Sequence, residues 1–274
     1  MQTKFPIGVF DSGYGGLTVL KEFVKVLPEY DFIYLGDNGR APYGNRSFET
    51  VYEYTLECVQ HLFDMGCKLV ILACNTASAK ALRTIQQQYL PLIDPDKRVL
   101  GVIRPTSEIA GEYTKTNHIG IFATTGTVLS GSYVMEINKF FPDVHVYQEA
   151  CPMWVPLIEN NEHKNDVADY FVLQHINNLL RHSDEIDTII LGCTHYPLLM
   201  PKIKKYLPPH IQLISQGEIV AKGLVDYLNR HREIEVLCSK NSKLEFYTTD
   251  STENFDQHAG GFFGSEVKSK YLHI

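Results

Sequence analysis

The sequence predicts an α/β protein with mostly parallel sheets, built from two pseudo-symmetric halves. Three observations carry that expectation. Short apolar runs alternate with helical patterns along the chain, as repeated βαβ units do. The strand-like run Ile7-Gly8-Val9-Phe10 has a counterpart at Ile119-Gly120-Ile121-Phe122, an offset of 112 residues. The run Leu69-Val70-Ile71-Leu72, leading to Cys74, has a counterpart at Thr188-Ile189-Ile190-Leu191, leading to Cys193, an offset of 119. Two motifs at nearly one offset indicate an internal duplication. At 274 residues the chain approaches the size at which single cores split. The expected division is 1–98 plus 211–274 for one domain and 99–210 for the other, with a cleft between two sheets.

The elements follow in order. Ile7–Phe10 ends at Asp11-Ser12-Gly13-Tyr14-Gly15-Gly16, and Leu17, Leu20, Val24 and Leu27 then keep helical spacing. The glycines match neither a GxGxxG fingerprint nor a P-loop, so they indicate a tight turn that can aim backbone N–H groups at an anion, not a nucleotide site. Phe32–Leu35 is a strand leading into Gly36–Gly44, a loop rich in turn formers. Ser47 is placed to cap a helix bearing Val51, Thr55, Cys58 and Leu62, and Gly66 is placed to end it. After Cys74 a helix carries Ala79, Leu82 and Ile85. Pro91–Asp96 reads as a boundary, and Val99–Ile103 as a strand before Arg104-Pro105-Thr106. The second half repeats the scheme with strands at 119–122, 144–147, 188–191 and 211–214, and helices bearing Val128, Tyr133 and Ile137, then Val167, Phe171 and Leu179, then a run to about Tyr206, then Glu218 to Tyr227. Prolines 152 and 156 mark Glu149–Glu159 as a loop or broken turn. Leu244–Thr249 reads as a last strand that returns to the first domain.

Composition bounds the function. Apolar content of 44% and charge of 21% fit an ordinary globular protein. A net charge of −7 opposes a nucleic-acid surface but permits an anionic substrate held by backbone amides. No run approaches the ~18 apolar residues of a membrane span, and Met1–Pro6 has no apolar core of a signal peptide. The six cysteines, 58, 67, 74, 151, 193 and 238, contain no CxxC and are expected as reduced thiols in the cytoplasm. No metal site is expected.

The chemistry centres on Cys74 and Cys193. Each follows an apolar strand and precedes a polar turn, where open α/β sheets bind ligands. A helix start is expected to lower a thiol's pKa from about 8.5. One such thiol would indicate a nucleophile. Two in matching positions can take a proton from one face of a carbon and return one to the other. His195 can exchange a proton near neutral pH beside Cys193, and Asp11 can serve Cys74. The plainer alternatives are a turn histidine bonded to backbone, an N-cap aspartate and two buried small hydrophobes. A ligand-binding protein without catalysis and a thiol nucleophile with a covalent intermediate also stay open. Asn75, Thr76 and Thr194 are short donors suited to a carboxylate.

The segments IGVFDSGYGGLTVL (7–20), GDNGRAPYG (36–44), ILACNTASA (71–79), TTGT (124–127), ACPMWVPLIE (150–159) and LGCTHYPLL (191–199) together resemble the cofactor-independent aspartate/glutamate racemases, glutamate racemase above all. The resemblance implies two flavodoxin-like domains with the active site between them. It also implies interconversion of L- and D-glutamate without a cofactor for peptidoglycan synthesis, in a homodimer. An aspartate racemase of the same group is the nearest alternative. Carried over by position, Cys74 and Cys193 are the acid/base thiols, supported by Asp11, His195 and Glu159. Asp11, Ser12, Tyr43, Gly44, Asn75, Thr76, Thr124, Thr127, Thr194 and His195 are implied to hold substrate. The chain departs from the common pattern at Arg104-Pro105-Thr106 and at Ser215-Gln216-Gly217-Glu218.

Overall fold

In the computed structural model, ten strands among the described residues form two parallel sheets. The structure describes residues 4–94 and 96–274. Met1–Thr3, the start of the stretch without signal-peptide character, and Pro95, within the expected boundary, lie outside them. The strands are β1 (Ile7–Asp11), β2 (Phe32–Gly36), β3 (Leu69–Leu72), β4 (Arg98–Gly101), β5 (His118–Ala123), β6 (His145–Ala150), β7 (Thr188–Gly192), β8 (Gln212–Ile214), β9 (Leu244–Thr248) and β10 (Ser269–Tyr271). One sheet has the order β10-β9-β2-β1-β3-β4, the other β6-β5-β7-β8. Every pairing between these strands is parallel.

The duplication is visible in the order itself. β2-β1-β3-β4 and β6-β5-β7-β8 are the same path run twice. In each, chain direction across the sheet reverses between the first and third strands, and a crevice opens there at the carboxyl ends. Central β1, β3 and β7 are wholly buried, as strands covered by helices on both faces must be. The first sheet packs apolar side chains on both sides, Val9, Leu17, Phe23 and Tyr34 on one and Phe10, Leu35, Val59 and Leu72 on the other.

Local signals placed most elements. Ser47 Oγ accepts from the Thr50 N–H at 3.2 Å and caps Phe48–Asp64, and Gly66 leaves that helix at φ +94°. β9 pairs with β2, so the C-terminal segment does return to the first sheet.

Four expectations shift. β4 pairs with β3 and β8 with β7, so residues 99–101 belong to the first sheet and 212–214 to the second. We therefore place the crossovers near 102 and 215 instead of 98 and 210. Ile103 begins a helix, Ile103–Ser107, where the sequence favoured a strand. Trp154–Glu159 is likewise a helix despite Pro156. Pro105 and Pro156 are each third in their helix, where the proline's missing N–H has no intrahelical partner to lose. Helix Thr252–Phe263 and strand β10 were not anticipated. Among the described residues no helix is long and apolar enough to cross a membrane.

One carboxylate fastens the returning segment. Asp31, at the foot of β2, accepts from the N–H groups of Asn241 and Lys243, both at 2.9 Å, and from Asn241 Nδ2 at 2.7 Å. Burial raises its pKa, but hydrogen bonds from Ser239, Lys243 and Asn241 outweigh that and hold it below its ordinary value. Its contribution is therefore present above the unfolded pKa and lost as pH falls through the lower folded value. Asp31→Ala is expected to cost about 2–3 kcal/mol at neutral pH. Denaturant titrations should show the gap from wild type closing below about pH 4. A gap unchanged down to acid pH would contradict this role.

Candidate active site

The carboxyl ends of the two sheets face one cleft. Its walls include Ser12, Tyr43, Gly44, Cys74, Asn75, Thr76, Thr124, Glu159, Cys193, Thr194 and His195. Asp11 and Thr127 lie behind the lining, fully buried. Ala41, Pro42, Val155 and Pro156 also line the cleft. They escaped sequence reasoning because apolar loop residues carry no chemical signature.

Cys74 lies just beyond the end of β3 and caps the helix Asn75–Lys80, its sulfur accepting from the Ala77 N–H at 3.4 Å. Ser12 Oγ lies 3.4 Å from the same sulfur. Burial pushes the thiol up to about 12, and the nearby Asp11 carboxylate adds to that; the contacts from Ser12 and Ala77 offset only part. The sequence expectation of a lowered pKa is therefore reversed: one short helix start is weaker than desolvation plus a carboxylate. Asp11 does not cap the following helix, whose N-cap is Gly16. It accepts from the Gly13 N–H at 3.0 Å and from Thr194 Oγ1 at 3.4 Å, which ties the two domains. Burial raises its carboxyl, opposed by the charge of His195 and by hydrogen bonds from Gly16, Gly13 and Thr194.

Cys193 follows β7 in the same way and, like Cys74, is 6% exposed. Its neighbours differ. His195 Nδ1 stands 4.0 Å from the Cys193 sulfur, and Nε2 is 2.9 Å from Glu159 Oε1. The ring is therefore engaged by side chains, not by backbone. Two thiols at equivalent strand ends of a duplicated fold thus open into one cleft.

The family model for Asp/Glu/Hydantoin racemase matches residues 7–224. The glutamate racemase of Bacillus cereus is 40% identical over 275 residues, covering 100% of this chain and 99% of that one. The chain belongs to the Asp/Glu/Hydantoin racemase family. A glutamate racemase isoform from Bacillus anthracis superposes with a TM-score of 0.89 at 35% identity, covering 98% of both chains. The Francisella tularensis glutamate racemase, solved with D-glutamate, gives 0.86 at 30% identity, covering 99% of this chain and 97% of that one.

In this racemase-family chain the two domains meet closely around the cleft. Gly126 N–H donates to Gly44 O at 2.7 Å, and Thr76 Oγ1 lies 2.9 Å from Thr124 Oγ1. Thr127 Oγ1 lies 3.1 Å from Thr124 Oγ1 and 3.4 Å from Thr76 Oγ1, behind both cleft residues. Tyr43 reaches the cleft from the 37–44 loop, its hydroxyl donating to buried Asp37, which also accepts from Arg40 at 2.7 Å and Thr249 at 2.7 Å. Gly15 marks the closest approach. A Cβ there would stand 2.3 Å from both Thr194 Oγ1 and His195 Nδ1.

Burial alone would lower the pKa of His195, but Cys193 and Glu159 outweigh it and raise it to about 10. A raised histidine contributes stability that is fully present below its ordinary 6.5 and lost as pH rises through about 10. Glu159→Gln should move the His195 midpoint, followed by ¹⁵N NMR of the ring nitrogens, down by about one unit or more. An unmoved midpoint would show that Glu159 does not hold the imidazolium.

Proposed function

We propose that this protein interconverts L- and D-glutamate by moving protons between Cα and the thiols of Cys74 and Cys193. The observation that carries this is the pair itself: two cysteines at matching strand ends of two like sheets, opening into one cleft. The thiolate of one removes the Cα proton, and the thiol of the other delivers a proton to the opposite face. The roles exchange in the reverse direction. Both proton carriers are side chains, so the transfer requires none from a cofactor.

The supporting groups suit the two sides unequally. Cys74 rests as a neutral thiol, ready to donate. His195 is basic enough to hold the proton that Cys193 gives up, and Glu159 fixes its ring. Charge developing on the substrate carboxylate is met by Ser12, Thr76, Thr124 and Thr194 and by first-turn backbone N–H groups, donors that need no reorganisation at the moment of transfer. Tyr43, Gly44 and Asn75 complete the substrate contacts, and Asp11 orients Thr194 and the turn carrying Ser12.

The choice of glutamate over aspartate follows the curated relatives, which are glutamate racemases over nearly their whole length. On this reading the enzyme works in the cytoplasm, supplies D-glutamate to the cell wall, and acts as a homodimer. Light scattering is expected to give about twice 31.2 kDa; a value near 31.2 kDa would remove the dimer.

Cys74→Ser and Cys193→Ser should each lower racemisation of glutamate, followed by circular dichroism, by about a hundredfold or more with the fold retained. Wild type should turn over aspartate far more slowly than glutamate. Full activity in either variant would refute the two-thiol scheme, and equal turnover of aspartate would refute the substrate.

A further inference from the structure

The chain passes between the two domains twice, and the passages lie side by side. The outward one runs from β4 through Val102 into the helix Ile103–Ser107. The return runs from β8 through Ser215 and Gln216 into the helix Gly217–Arg230. Gln216, 4% exposed, joins them: its Nε2 donates to Thr106 Oγ1 at 3.0 Å and lies 3.4 Å from Val102 O.

The same carboxamide closes a ring of three hydrogen bonds. Tyr133 OH donates to Asn75 Oδ1 at 2.7 Å. Asn75 Nδ2 donates to Gln216 Oε1 at 2.8 Å, and Gln216 Nε2 donates to Tyr133 OH at 2.6 Å. Each group donates once and accepts once around the ring, so the bonds polarise one another in a buried site. All three residues are at most 4% exposed.

The ends of this ring fall beside the two thiols. Asn75 is the residue after Cys74. Tyr133 packs its ring edge against Gly192, the residue before Cys193, so tightly that a Cβ on Gly192 would stand 3.0 Å from Tyr133 Cε2. One domain's thiol turn is thus linked to the other's through two side chains, while Gln216 anchors the link to both crossovers.

We propose that the Asn75–Gln216–Tyr133 ring is the strut that sets the separation of Cys74 and Cys193, with Gln216 and Tyr133 as positioning residues for proton transfer. This rests on the two-thiol function proposed above. Proton transfer between fixed groups falls steeply with sub-ångström misplacement, so loosening the strut should cost turnover more than binding.

Two variants test it. Tyr133→Phe removes one hydroxyl and keeps the ring that packs on Gly192. Gln216→Glu keeps the volume and the acceptor for Asn75 but replaces the donating amide. Alkylation by iodoacetamide, mapped by peptide mass spectrometry, reads the thiols without reference to activity. Cys74 and Cys193 should react about tenfold faster or more in both variants. Buried Cys58, Cys67 and Cys238 should keep their wild-type rates. Glutamate kcat should fall about tenfold or more with KM within about threefold. Unchanged rates at Cys74 and Cys193, or a matching rise at all of these cysteines, would overturn the strut. Wild type inert toward glutamate would instead refute the function, with the alkylation result still deciding the strut.

Discussion

Two proton carriers that work from opposite faces of one carbon must stand on either side of it, held apart by the width of the substrate. The rest of this structure follows from that constraint. No single sheet can supply it, because all its ligand-facing turns lie at one edge. Two copies of the sheet, with carboxyl ends turned toward each other, supply it directly. The β2-β1-β3-β4 and β6-β5-β7-β8 paths are that solution, with Cys74 following the third strand of one and Cys193 the third strand of the other.

The duplication holds in topology over four strands of each sheet and is broken in chemistry. Cys74 faces a serine, a backbone N–H and a nearby buried aspartate; Cys193 faces a histidine held by a glutamate. Burial acts on both Cys74 and His195, and what differs is the charge it is set against. A carboxylate adds to burial at Cys74 and keeps that thiol protonated. At His195 the anionic partners overcome burial and favour the imidazolium. A symmetric scaffold thereby gives the two sides different electrostatic surroundings.

Much of this was legible in the residues. The paired offsets, the apolar runs ending in cysteine, the Ser47 cap and the Gly66 exit are local patterns, and local patterns survive in sequence. What was not legible depends on distant partners. Val99–Gly101 is apolar enough for either sheet, and only its pairing with β3 decides. The proline at 156 looked like a breaker until its place in a first turn was known. The proton affinity of Cys74 hinges on burial and on Asp11, 63 residues away in sequence. Gln216 stands out in the chain only as part of a departure from the common pattern; its meaning lies in Asn75, Thr106 and Tyr133, which the fold alone gathers around it.

The central claim is that the two thiols work from opposite faces, each carrying its own proton. L-Glutamate incubated with the wild-type protein in D₂O and stopped at low conversion tests it most directly, with Cα label read by mass spectrometry in each separated enantiomer. The account predicts one deuterium in the D-glutamate formed and none in the L-glutamate recovered, because the proton removed by one cysteine is not the one the other delivers. Label shared equally between the two enantiomers, or product that retains its original proton, would mean one group serves both faces and would contradict it.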